Sequence, residues 1–148
     1  MTHDNILYEL SKKFALRIIN LYKFLTNDNQ EYVMSKQIYR CGTSIGANIA
    51  ESMNAQSRAD FASKLSISLK EATETKHWLE LLHESDYINE QQFSSIVNDL
   101  NIIIGTLINT LKKQRTMKRV INSFPFFHSY FFSLFHSYII SFLYVVQI

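Results

Sequence analysis

The first 124 residues of this chain almost lack the two residues that interrupt helices. Its single proline is Pro125, and its only glycines are Gly42, Gly46 and Gly105. Proline removes a hydrogen bond from the helix interior, and glycine costs about 1 kcal/mol there relative to alanine. A stretch that avoids both residues is typical of an all-α protein. At 148 residues, the chain suits one domain with a sizeable core.

Apolar residues recur at three- and four-residue spacing in four segments, which predicts four amphipathic helices. The first is expected over about residues 5–26 and the second over about residues 31–54. The third begins after an N-cap at Ser57, and the fourth after an N-cap at Asn89, because each has a polar partner three residues on. The four apolar stripes are, in order, Leu7, Leu10, Phe14, Ile18, Leu21 and Leu25; Ile38, Cys41, Ile45 and Ile49; Phe61, Leu65, Ser68, Ala72, Thr75, Leu79 and Leu82; and Phe93, Ile96, Leu100, Ile103, Leu107 and Leu111.

The connections between these segments are short, so neighbouring helices must run antiparallel. We therefore predict an all-α fold, an up-down-up-down antiparallel four-helix bundle with an atypical aromatic C-terminal tail. The bundle is expected in residues 1–119 and the tail in residues 120–148.

The second helix carries small residues four apart at Gly42, Gly46 and Ala50. Two glycines one turn apart in a helix need a reason, and close approach of another backbone is the usual one. We expect these three residues to form a close-packing seam with a neighbouring helix.

Four polar residues in the second and third helices are spaced three apart in pairs: Asn48 with Glu51, and Glu71 with Glu74. Each pair shares a helix face, and buried carboxylates need partners. We expect an interhelical polar layer that fixes the register of the helices. The alternative is a ligand-binding or catalytic carboxylate cluster.

A di-iron centre is the sharpest form of that alternative, since Glu74 and His77 fit a Glu-x-x-His pattern. Such a centre needs a second copy of the pattern on another helix, and the sequence has none. Nucleophile triads, phosphate-binding loops and zinc-ligand spacings are also absent. We expect no catalytic residue, no cofactor and no metal, and hence no enzyme.

Two motifs carry a resemblance to a known family. The run Ser44-Ile45-Gly46-Ala47-Asn48-Ile49-Ala50-Glu51 and the stretch from Lys70 to Leu82 resemble the second and third helices of the 23S ribosomal RNA intervening-sequence proteins. The resemblance covers residues 5–115. It implies a four-helix bundle that assembles as a ring-shaped homopentamer. A related branch, the accessory protein of diversity-generating retroelements, binds a reverse transcriptase and nucleic acid.

Positive charge is concentrated after Asp99, the last acidic residue. Residues 1–111 hold ten Lys and Arg against thirteen Asp and Glu, and five cations follow within eight residues. We name this group the basic segment: Lys112, Lys113, Arg115, Lys118 and Arg119. Such a run suits the C-terminal end of a helix dipole. In an oligomer it is repeated, and it then becomes a candidate site for RNA or DNA.

The tail leaves three interpretations open. Residues 124–148 carry no charge and are just long enough to span a membrane, with the preceding cations on the cytoplasmic side. They could instead pack on the bundle as a folded extension. A non-native appendage from a frameshift or read-through is the third interpretation.

A reducing cytoplasm is the expected location, since Cys41 is the only cysteine and no apolar run opens the chain. Taken together, the sequence predicts a non-enzymatic oligomeric scaffold that binds a protein, such as a reverse transcriptase, or RNA or DNA. The alternative is a bundle tethered to a membrane by residues 124–148.

Overall fold

The computed structural model describes residues 3–122. They form four helices: α1 (His3–Asn27), α2 (Met34–Ser52), α3 (Arg58–Glu84) and α4 (Glu90–Asn122). Short connections reverse the chain between successive helices, so neighbours run antiparallel. The all-α, up-down-up-down four-helix bundle predicted from the sequence is confirmed.

The chain divides into two units, residues 1–112 and residues 113–148. In the second unit, the structure describes the continuation of α4 to Asn122, so this helix enters the predicted tail. The rest of the tail, with its three interpretations, lies outside the described residues, and the predicted boundary at residue 119 stays a prediction. No helix among residues 3–122 is both long and apolar enough to cross a membrane.

The four predicted stripes form the core of the bundle. All their members are buried except three half-buried residues, Leu10, Phe61 and Phe93. Ile88 belongs to the core as well, although its place in the connection before α4 predicted only a turn. It is 2% exposed, and its backbone N–H donates to the carbonyl of Leu82.

The N-termini of α3 and α4 are capped by the predicted residues. The Ser57 hydroxyl accepts from the Asp60 N–H at 3.1 Å, while the Asp60 carboxylate accepts from the Gln56 N–H at 3.2 Å. Asn89 and Gln92 bond each other's backbone N–H reciprocally, both at 2.9 Å. These bonds satisfy N–H groups that have no partner within their own helix.

The start of α2 differs from the prediction, because Glu31 lies outside the helix and caps it. Its carboxylate accepts hydrogen bonds from the N–H groups of Val33 (2.9 Å), Met34 (2.8 Å) and Ser35 (2.6 Å). The Ser35 hydroxyl donates back to the Glu31 carbonyl at 2.7 Å. The glutamate side chain thus caps the helix in place of the Ser, Thr, Asp or Asn side chain that usually does so.

The packing of α1 against α2 is closest at the two glycines of α2. A Cβ atom added at Gly42 would lie 2.8 Å from Cγ1 and 2.9 Å from Cγ2 of Ile18. One added at Gly46 would lie 3.5 Å from Oγ and 3.6 Å from the carbonyl oxygen of Ser11. Ala50, the third residue of the predicted seam, is half-buried. The two glycines therefore differ, since only Gly42 lacks room for a methyl group.

This difference predicts opposite effects of alanine at the two positions. Gly42→Ala should destabilise the bundle by about 1–3 kcal/mol, because the buried Ile18 must move to admit the methyl group. Gly46→Ala should leave stability unchanged or raise it by up to about 1 kcal/mol, because alanine favours the helix. Urea unfolding of both variants and the parent measures the difference. Equal changes in both variants would contradict the packing described.

The Glu31 cap also predicts how stability depends on pH. Burial raises the pKa of this carboxyl, but hydrogen bonds from the N–H groups of Met34, Ser35 and Val33 outweigh it, and the net pKa is lowered. A lowered pKa in the folded state stabilises the fold above the unfolded-state pKa, and this stabilisation is lost as pH falls through the folded value. We expect the free energy of unfolding, measured in urea at a series of acidic pH values, to fall less with decreasing pH for Glu31→Ala than for the parent. An equal fall in both proteins would refute the cap.

Candidate functional site

The predicted polar layer is divided into separate contacts. Arg40 of α2 forms an ion pair with Glu74 of α3, and its other nitrogen lies 3.7 Å from Oε2 of Glu71. The indole N–H of Trp78 donates to Glu74 at 3.4 Å. The Glu71 Oε2 atom is buried and accepts no hydrogen bond from the described residues. Arg40, a cation that the sequence prediction did not include, is the partner of this carboxylate pair.

The other two members of the predicted layer point to different partners. Glu51 pairs with Lys64, and the Asn48 amide donates to the Ser44 carbonyl at 2.9 Å within α2. No hydrogen bond among the described residues links Asn48 or Glu51 to the carboxylates of α3. Glu51 and Glu74 each pair with a cation on the other helix of the α2–α3 pair, whereas Asn48 bonds within α2. That these four residues form one layer fixing the register of the helices stays a prediction.

A hydrogen bond that the sequence did not predict joins a side chain of α3 to the backbone of α2. The hydroxyl of Ser68, fully buried on α3, donates to the carbonyl of Ile45 on α2 at 3.0 Å. Its only signal in the sequence was a serine within an apolar stripe. This bond connects the two helices at a buried point, which is the role that the polar layer was expected to fill.

Potential reactive groups in the bundle are few. Burial raises the pKa of the Cys41 thiol, which keeps it protonated and unreactive. His77, the histidine of the Glu-x-x-His pattern, is exposed beside Trp78. Within residues 3–122, no three His, Cys, Asp or Glu side chains lie together in a group that could hold a metal ion.

Two tyrosines meet on the outer side of the α1–α2 pair. The rings of Tyr22 and Tyr39 have centroids 5.0 Å apart and are tilted by 54°. Tyr39 is 41% exposed, and Lys23 and Lys36, which are near the two tyrosines in sequence, are also exposed. This pairing was not predicted, because the two tyrosines are on different helices.

One arginine defines which sides of α1 and α4 meet. Arg17 forms an ion pair with Asp99 and donates to the Ser95 hydroxyl at 2.9 Å and to the Ser95 carbonyl at 3.0 Å. Both partners are on α4, so these residues mark a common face of the two helices. We call it the α1–α4 face.

Large apolar side chains are exposed on the α1–α4 face. Ile6 precedes Arg17 by eleven residues, or three turns, so it lies on the same side of α1, and it is 47% exposed. Ile102 follows Ser95 by seven residues, or two turns, on the same side of α4, and it is 55% exposed. Nothing lies within 4 Å of a Cβ atom added at Gly105, three residues after Ile102. Packing within the described part of the chain therefore gives no reason for a glycine at this helical position.

The basic segment continues α4. Lys112 is exposed at the end of the first unit. In the second unit Lys113, Arg115 and Arg119 are exposed, and the spacing of Arg115 and Arg119 places these two on one side of the helix. Lys118 belongs to the same helix. The arrangement presents several cations along one helical segment.

The chain is similar to proteins of a recognised family. The family model described as 23S rRNA-intervening sequence protein matches residues 3–109. A crystal structure of a protein of unknown function, from the S23 ribosomal protein family of Bacteroides thetaiotaomicron VPI-5482, is 57% identical in sequence, with a TM-score of 0.74. The match covers 75% of this chain and 99% of that chain. No curated protein matches the chain.

The contacts predict that Ser68 matters more for stability than Asn48. Ser68→Ala should destabilise the bundle by about 1 kcal/mol, because it removes a buried hydrogen bond between two helices. Asn48→Ala should change stability by less than about 0.5 kcal/mol, because its bond lies within one helix. Thermal and urea unfolding of both variants measure the two losses, and a larger loss for Asn48→Ala would contradict this order.

Proposed function

Since the chain belongs to the 23S rRNA-intervening sequence protein family, we propose that it is a non-enzymatic scaffold. It associates with copies of itself into a cytoplasmic oligomer, and the oligomer binds RNA or DNA. A protein such as a reverse transcriptase is a further partner on the resemblance described above.

The exposed apolar surface of the α1–α4 face supports self-association. Ile6 and Ile102 are about half exposed. Grouped apolar side chains in water favour contact with another protein surface. Gly105 adds a helical position without a side chain, where a second helix can approach closely. We assign the contact between copies to this face, and the ring-shaped homopentamer implied by the resemblance is the form we propose for it.

The basic segment supports binding of nucleic acid. Each cation that neutralises a phosphate releases a counterion, so affinity rises with the number of contacts and falls steeply with salt. One chain offers five cations between Lys112 and Arg119. An oligomer repeats this set in every subunit, so many weak contacts combine on one polyanion.

Sedimentation velocity of the full chain tests the proposal. We expect the parent protein to sediment as an oligomer and Ile102→Lys to sediment mainly as a monomer, because a charge buried in the contact has no partner. Val33→Lys is the matched control, because Val33 is 73% exposed but lies in the connection between α1 and α2. Its sedimentation should equal that of the parent.

The same samples are titrated with labelled RNA at low and moderate salt. The parent should bind at low salt, and the triple variant Lys113→Gln, Arg115→Gln, Arg119→Gln should bind more weakly and with a shallower salt dependence. A parent protein that is a monomer and shows no RNA binding at low salt would refute the proposed function.

A further inference from the structure

Most of the length of α1 and α2 is basic, since the acidic residues of these two helices lie near their ends, at Asp4, Glu9 and Glu51. Residues 10–27 of α1 and residues 34–50 of α2 contain six Lys and Arg and no Asp or Glu. Two of the six are neutralised from other helices, Arg17 by Asp99 and Arg40 by Glu74. The remaining four are exposed lysines that form no ion pair with the described residues: Lys12, Lys13, Lys23 and Lys36.

Two of these four lysines are close in sequence to the tyrosine pair. Lys36 precedes Tyr39 by one helical turn, and Lys23 directly follows Tyr22. Neither tyrosine hydroxyl is hydrogen-bonded to another described residue, so both stay available for a ligand. The Tyr22 ring packs against the Tyr39 ring, with 5.0 Å between the ring centroids. This contact holds the Tyr39 ring in position while part of it faces solvent.

Aromatic rings between unpaired cations suit one class of partner. Base–aromatic stacking is worth about 1–3 kcal/mol per base and is tolerant of sequence, while lysines contact the phosphates. The bases of a duplex are already stacked on each other and cannot reach a tyrosine ring on a convex helical surface. A protein partner would gain from the rings but not from four unpaired lysines, unless it were strongly acidic.

We propose that Tyr22 and Tyr39, with Lys23 and Lys36, form a stacking site for the bases of single-stranded nucleic acid. This inference rests on the proposed function, since it names the form of nucleic acid that the scaffold prefers. Tyr39 is the residue that contacts a base, and Tyr22 positions its ring. The basic segment adds affinity for any polyanion, whereas the tyrosine pair distinguishes single strands from duplexes.

The test compares four fluorescent probes by anisotropy with the full chain: a single-stranded RNA, an oligothymidine, a duplex of equal length, and an abasic strand that has the backbone without bases. Tyr39→Leu keeps an apolar side chain without the aromatic face, and Tyr39→Phe keeps the ring. We expect Tyr39→Leu to weaken binding of both base-bearing single strands about tenfold and to leave the duplex and the abasic strand unchanged. Tyr39→Phe should retain most of the parent affinity.

Lysine variants form the second arm. The pair Lys23→Gln, Lys36→Gln should weaken binding of all four probes, while Lys70→Gln, on an exposed part of α3 outside this surface, should not. Circular dichroism melting and sedimentation of every variant check that fold and assembly are intact.

The possible results separate the two proposals. If the triple variant of the basic segment loses binding while Tyr39→Leu matches the parent, the stacking site is refuted and the proposed function stands. An equal loss for duplex and single strand also refutes stacking. If Tyr39→Leu changes sedimentation instead of binding, the surface is a contact between proteins. If no probe binds to the parent at low salt, the nucleic-acid part of the proposed function fails together with the inference.

Discussion

The contact between Ile18 of α1 and Gly42 of α2 is the constraint on which the rest of the bundle depends. The side chain of Ile18 is fully buried and occupies the space where a Cβ atom of residue 42 would be. The two helices therefore lie closer than side-chain packing would otherwise allow. One turn along, Gly46 rests on the backbone of Ser11, whose hydroxyl bonds to the Tyr8 carbonyl and so brings no unsatisfied group into the contact.

The functional surfaces follow from this close pair. With α1 and α2 held together, Tyr22 and Tyr39 meet on their outer side, and Lys23 and Lys36 are exposed near them in sequence. The inner side of α2 is joined to α3 by the Ser68–Ile45 hydrogen bond. Outside the core, Arg40 forms an ion pair with Glu74 and lies 3.7 Å from Glu71. Glu71 and Glu74 of α3 thus lie against a cation within the chain, while Lys23 and Lys36 form no ion pair with the described residues.

Periodicity predicted the helices and core well, because burial of an apolar stripe is a property of each segment by itself. The caps at Ser57 and Asn89 were equally local and equally predictable. Contacts between segments were less predictable. The cations that pair with the carboxylates of the predicted layer, Arg40 and Lys64, were not predicted, because spacing indicates the face of a residue but not the partner it reaches. Pairings such as Ser68 with Ile45 and Tyr22 with Tyr39 depend on the register of two helices, which spacing within either helix does not determine.

A double-mutant cycle of Ile18→Ala with Gly42→Ala measures the central contact directly, through the free energy of unfolding in urea. Ile18→Ala removes the two Cγ atoms that a methyl group at position 42 would meet at 2.8 and 2.9 Å. We expect strong coupling between the two substitutions in the free energy of unfolding. Gly42→Ala should destabilise the parent but be neutral or stabilising in the Ile18→Ala background, where the added methyl group fills space. The same loss from Gly42→Ala in both backgrounds would show that Ile18 does not set the approach of the two helices.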